Sequence, residues 1–253
     1  MIYSFRKESN KLILFLIITI FFFSCFNHTS IEKKHLDSLC ISFSFPIVYT
    51  DGELVNHTDS FYFFDNSEYS VYKLPIQTSV ENDDKVLKID VKYYYFCYKK
   101  LSSTGFLFDS LTSEIGKKVD TDSFLSEKVF GKFKPYNKKN DSLYKEFIIE
   151  GDIKFQKFLP KLKQDFTYAD TTYFSSSDRF KNIDYSFSKE LDSLNLLKVF
   201  KVRILYKAQY YKEFDFKYPE RQFLFEMREN KIRNKEDIIY LIKKVESIYS
   251  KNL

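Results

Sequence analysis

Tryptophan is absent from this 253-residue chain, alanine stands only at Ala169 and Ala208, and glycine and proline number five each. These scarcities remove whole classes of chemistry. Phosphate cradles and nucleophile elbows need clustered glycines, because only a residue without Cβ lets the backbone approach so closely. The glycines here, Gly52, Gly105, Gly116, Gly131 and Gly151, are scattered singly, so neither motif can be written. Histidine is limited to His28, His35 and His57, and neither a paired-histidine zinc motif nor Cys-x-x-Cys occurs. No metal and no cofactor is therefore expected. Lys and Arg total 40 against 35 Asp and Glu, intermixed along the chain, for a net charge of +5. With no dense basic block, nucleic acid is excluded as the main partner.

What is abundant is Phe, with 29 residues, and Tyr, with 20. Stacking platforms for sugars or bases are one explanation. Composition gives a plainer one: residues with AT-rich codons (Lys, Asn, Ile, Phe, Tyr) are plentiful and those with GC-rich codons scarce. Phe then fills core positions where Leu or Ala would otherwise sit, and the lack of Trp weakens the case for carbohydrate binding.

The N-terminal stretch is short on length rather than on hydrophobicity. Arg6, Lys7 and Lys11 form a basic head, and Leu12 to Phe23 is apolar except for Thr19. A spanning helix needs roughly 20 apolar residues, so this block suits the hydrophobic region of a secretory signal. Ser24 and Cys25 follow it directly. The junction resembles the lipobox of bacterial lipoproteins, with Phe22 and Phe23 standing where that family usually has Leu and then Ala or Ser. The resemblance implies cleavage before Cys25, a diacylglycerol on its thiol and acylation of the new amino terminus. A secretory signal with an incidental cysteine is the alternative. Phe26, in place of the Asp that retains many such lipoproteins in the inner membrane, favours an outer-membrane destination. The implied address is the cell envelope, with the membrane as a partner through the N-terminal lipid.

With Cys25 acylated, Cys40 and Cys97 remain, and an oxidising envelope permits one disulfide between them. Strand parity argues against it. Cys40 lies on a face with Ser42 and Ser44, opposite Leu39, Ile41, Phe43 and Phe45, whereas Cys97 shares an apolar face with Val91, Tyr93 and Tyr95. A bridge and two separate thiols both stay open.

Along the chain, residues 1–24 read as signal, 25–37 as a polar tether, 38–130 as a β-rich part, 131–142 as a linker or surface loop, and 143–253 as an α+β part, either separate from the first or one continuous domain with it. Strands are expected at Leu39 to Val48, Phe61 to Phe64, Tyr69 to Leu74, Val86 to Tyr98, Glu146 to Ile149 and Ile153 to Phe158. A helix is expected near Asp122 to Val129, and the Ser-rich stretch from Pro160 to Lys181 reads as irregular. Ser188 to Asn195 suits a short helix. Val199 to Tyr206, Phe214 with Phe216, and Phe223 to Met227 alternate as an antiparallel meander with one buried face. A final helix starts at Asn234 as N-cap, with Glu236 and Asp237 in its first turn. Its stripe of Ile238, Leu241, Ile242, Val245, Ile248 and Tyr249 is expected to pack on the meander. The fold class is α+β, mainly antiparallel sheet with the C-terminal helix packed on a β-meander.

Two further patterns carry chemistry. The run DGELVNHTD holds Asp51, Glu53, His57 and Asp59, oxygen ligands beside a histidine, but its spacing fits no calcium loop and a solvated hairpin loop is the simpler expectation. Asp-Ser-Leu recurs at 37–39, 109–111, 141–143 and 192–194, with Asp-Thr-Thr at 170–172. It resembles the O-glycosylation signal on envelope proteins of the bacteroidete lineage, which implies Ser38, Ser110, Ser142, Thr171 and Ser193 as acceptors. Turn and helix-start chemistry before a core Leu accounts for the same tripeptides.

The expected function is a non-catalytic binding or assembly module, tethered to the envelope and working with an envelope protein partner. The competing expectations are an envelope hydrolase with a dispersed carboxylate site and a protective lipoprotein that antagonises a toxin. No catalytic residue can be singled out among so many carboxylates.

Overall fold

The structure, a computed structural model, describes residues 36–49, 52–82, 85–130, 134–149, 153–162, 169–212, 215–231 and 235–251. The signal segment, Cys25 and the tether up to His35 lie outside them, as do Asp51 and Asn234.

The first six strands are β1 (Asp37–Val48), β2 (Leu54–Asp65), β3 (Tyr69–Asn82), β4 (Lys85–Lys99), β5 (Thr104–Phe108) and β6 (Lys117–Asp120). Successive strands pair antiparallel, because short turns join them. Gly52 makes the first turn possible with φ of 86°, a left-handed conformation that glycine adopts without a Cβ clash. Between β2 and β3 the Asn66 side-chain oxygen accepts the backbone N–H groups of Glu68 and Tyr69 at 2.8 and 2.6 Å, reinforcing a loop that the Asn66 N–H also closes by donating to the Tyr69 carbonyl at 3.0 Å. Helix α1 (Thr121–Phe124) is capped by Asp120, whose carboxylate accepts the Ser123 N–H at 2.8 Å. It runs on into a π-helical turn, Leu125–Phe130.

The second half contributes β7 (Asp141–Ile149), β8 (Ile153–Pro160), β9 (Thr171–Ser177), helix α2 (Lys189–Asn195) and β10 (Lys198–Tyr206). A small hairpin of β11 (Gln209–Tyr211) and β12 (Phe216–Tyr218), strand β13 (Arg221–Glu229) and helix α3 (Lys235–Lys251) complete the chain. The large sheet has eleven strands in the order β6-β5-β4-β3-β2-β1-β13-β10-β9-β8-β7. Every adjacent pair is antiparallel. The β1–β13 pair, with Ile41 opposite Met227 and Phe43 opposite Phe225, sews the two halves of the sequence into one sheet.

The two faces of this sheet are covered differently. On one face Leu39, Ile41, Phe61, Phe63, Tyr72 and Phe96 are buried under Leu125, Val129, Phe180, Ile183 and Tyr185. That face continues through Phe225, Val202, Phe174 and Phe158, covered by Leu191 of α2. On the opposite face Phe64, Val71, Tyr95, Cys97, Phe106 and Phe108 lie beneath Ile238, Leu241, Ile242 and Val245 of α3, with Leu36 closing the edge. Four buried aliphatic side chains contribute roughly 6–12 kcal/mol of gross transfer free energy to α3, enough to hold a helix whose opposite face is polar. Residues 36–253 form one compact unit, and its described residues build these three core clusters.

The α+β class with a C-terminal helix packed on a β-meander is thus the observed architecture. The meander beneath α3 is that of β3, β4 and β5, not the one adjacent to the helix in sequence. Four local readings are corrected. Thr171–Ser177, read as irregular, is an inner strand: Thr172, Phe174 and Ser176 are buried on one side, and small hydroxyl residues fit between β8 and β10. Strand β2 begins at Leu54, seven residues before Phe61, and β5 and β6 were not expected at all. Phe216 pairs in the small β11–β12 hairpin rather than in the large sheet. Leu36 is buried and β1 starts at Asp37, so the fold begins inside the stretch read as tether.

Candidate functional site

Most of the covered face is sealed, but a cleft of about 460 Å³ opens between the sheet and the segment leading into α2. Its floor is Phe43 of β1 and Phe225 of β13, neighbours in register whose rings meet edge to face at 5.5 Å. Its roof is Phe187, which stands edge-on to Phe43 at 6.3 Å and to Phe225 at 6.4 Å. Tyr185 forms the inner wall, edge to face with Phe187 at 5.4 Å and with Phe61 at 5.8 Å. Tyr136 and Pro135 close one side, Tyr136 resting on Phe158 at 5.1 Å. Lys134, Lys189 and Glu190 also line it and are exposed to solvent.

Local hydrogen bonds set this roof in place. The Ser186 hydroxyl donates to Asp192 Oδ2 at 2.6 Å and accepts the Ser188 N–H at 3.1 Å. Ser188 caps α2, its hydroxyl accepting the Leu191 N–H. Asp192 in turn accepts the Val199 N–H at 2.7 Å and pairs with Lys198 at 3.2 Å. The run SFSKELD therefore folds back on itself, and Phe187 between the two serines is aimed at the sheet. A capping Ser of this kind contributes about 1 kcal/mol.

Burial pushes the Tyr185 phenol far above its ordinary range. Burial and the nearby carboxylates of Glu190 and Asp141 also raise Tyr136. Both phenols are thus neutral, weakly polar walls at physiological pH. Deeper in, Tyr98 donates to Asp184 Oδ2 at 3.0 Å, and buried Asp65 accepts Ser70 at 2.6 Å and Lys100 at 2.8 Å. Burial raises the Asp65 carboxyl, with Lys100 and Ser70 opposing. These groups are mutually satisfied and lie away from the cleft lining, so they act in the fold.

The residues singled out in the sequence lie elsewhere. His57 and Asp59 are not in a loop: both belong to β2, two residues apart on one face, with Nε2 and Oδ1 2.9 Å apart and both side chains about two-fifths exposed. They border a shallow, open depression of about 360 Å³ beside Gln77 and Lys128. Glu53 is in the β1–β2 turn, and Asp51 lies outside the described residues. Among the described residues no cluster of three metal-ligating side chains exists.

Cys40 and Cys97 are free thiols on β1 and β4. Three strand spacings separate them, roughly 14 Å, about twice the Cα separation a disulfide tolerates, so the bridge is not formed. Of the glycosylation candidates, Ser142 and Ser193 are exposed, Ser110 and Thr171 half-buried, and Ser38 buried. The Ser38 hydroxyl accepts from the Asn230 side-chain amide at 3.3 Å and the residue is only 7% exposed. Cys25 lies outside the described residues.

Sequence reading missed the cleft because its aromatic walls come from four separate segments. The only local signal was the serine-spaced SFSKE, which marks a helix start and says nothing of what Phe187 faces. No family model matches the chain, and no curated protein matches it.

Proposed function

We propose that this chain is a membrane-tethered, non-catalytic binding module of the cell envelope, anchored through Cys25, that takes a small apolar or amphipathic ligand in the cleft between Phe43, Phe225 and Phe187. One observation carries the reading: a cleft of about 460 Å³, of ligand-binding size, walled by aromatic rings with its charged groups exposed to solvent. A ligand with an apolar body and a polar end matches that division. Aromatic walls gain about 0.5–1.5 kcal/mol per well-placed ring contact beyond area burial. Tethering supports the same reading, since acyl chains on one residue hold the module where amphipathic molecules concentrate.

Native mass spectrometry on the chain extracted from its own cells tests this. The expected result is a non-covalent adduct that is lost in Phe43→Ala/Phe187→Ala, together with displacement of bound ANS by the recovered ligand. An empty spectrum with no ANS binding by the folded protein would remove the proposal.

A further inference from the structure

Among the described residues, the face that carries α3 is covered over β2 to β5. Farther along the same face, β7 to β10 present an open ladder of rings and cations. Phe147, Phe155 and Tyr173 form a row of tilted rings across three strands, with centroids 4.8 and 5.5 Å apart. Arg203 lies over Tyr173 at 4.4 Å and Lys157 over Tyr144 at 4.9 Å, while Lys145 approaches Phe147 at 5.4 Å. The register places Lys145, Lys157, Tyr173 and Arg203 on one side. Of the two carboxylates in β7, Glu146 points to the other side, where it pairs with Lys154 at 3.1 Å and accepts from Gln156, and Asp141 lies across the bulge on the side of Leu143 and Phe158. Among the described residues of β7, β8 and β9, no carboxylate shares the face with these three cations. Strand β7 is also the end of the sheet, and its side chains stand in solvent, with Tyr144 65% and Ile148 74% exposed.

We infer that this surface docks on a bilayer bearing anionic headgroups. Tyrosines and phenylalanines interleaved with Lys and Arg are the chemistry that settles at a membrane interface, rings at headgroup depth and cations on phosphates. The inference rests on the Cys25 tether for its reach. Eleven residues from Cys25 to Leu36 extend to at most ~36–40 Å. Five strand spacings from β1 to β7 come to about 24 Å. Leu36 also leaves the core on the α3 side, the face of the ladder. A lipid on Cys25 therefore reaches the plane in which the ladder would lie, and a second weak contact converts a flexible tether into an oriented one.

Vesicle sedimentation with the chain lacking residues 1–25 separates this surface from the lipid. The expected result is pelleting with phosphatidylcholine/phosphatidylglycerol vesicles, not with phosphatidylcholine alone, weakening as salt rises. Lys145→Gln/Lys157→Gln/Arg203→Gln should lower the partition coefficient on the order of a hundredfold with circular dichroism unchanged. Lys117→Gln/Lys118→Gln/Lys243→Gln, which removes as many charges elsewhere, should leave it near the parent value. Equal binding by the two triple variants, or none by the parent, overturns the inference. So does a dimer of the free chain abolished by Ile148→Asp, which would give β7 to a second copy. Failure of the Cys25 anchor alone would show instead as loss of membrane fractionation by the full chain with vesicle binding intact.

Discussion

At the residue scale the cysteines divide by environment. Burial pushes the Cys97 thiol far up, and it raises Cys40 too, although the Arg228 charge and a Ser60 hydrogen bond partly oppose it. Since only the thiolate is nucleophilic, neither should react quickly near neutral pH in the folded protein. Cys25 carries the contrast: acylated, it has no thiol, whereas unprocessed it is a third candidate. Iodoacetamide labelling of the chain extracted from membranes should therefore show no fast-reacting cysteine until denaturant is added. One rapidly labelled site mapping to Cys25 would mean that its sulfur is free. The single residue best placed by sequence pattern thus has a test that needs no knowledge of the ligand.

Among the elements, legibility followed periodicity. Val199 to Tyr206 and the stripe of α3 were readable because apolar residues recur at strand and helix spacing over two turns or more. Strand β9 was not, since buried Thr172 and Ser176 look like loop residues until their neighbours are known. The cleft was illegible for a related reason: Phe43 and Phe225 become neighbours only through the β1–β13 pairing, which joins residues far apart in sequence. Strand β5 was hidden by its length and by Gly105, yet that glycine explains itself in the fold. A Cβ there would stand 2.4 Å from the Phe96 ring, which itself is fully buried and stacks on Phe124 at 4.1 Å. Gly105→Ala should accordingly cost about 1–3 kcal/mol, the usual range for overpacking, read as a lower denaturant midpoint with the slope unchanged.

For the whole molecule, the sheet itself organises the proposed roles. One face is closed over an aromatic core and opens at the cleft and at the shallower depression beside His57. The other is closed by α3 over β2 to β5 and carries a ladder of rings and cations toward β7. In the proposed reading, ligand and membrane would meet opposite sides of one sheet, and Leu36, the first described residue, packs in the cluster beneath α3. Such a division gives the module a fixed orientation if its N-terminus is held at the bilayer. All of this depends on where the mature chain begins and what it carries. The deciding measurement is the intact mass of the protein extracted from its own membranes: a chain starting at Cys25 with covalently bound acyl groups is the expected result, and an unacylated chain, or one starting at another residue, contradicts the tether.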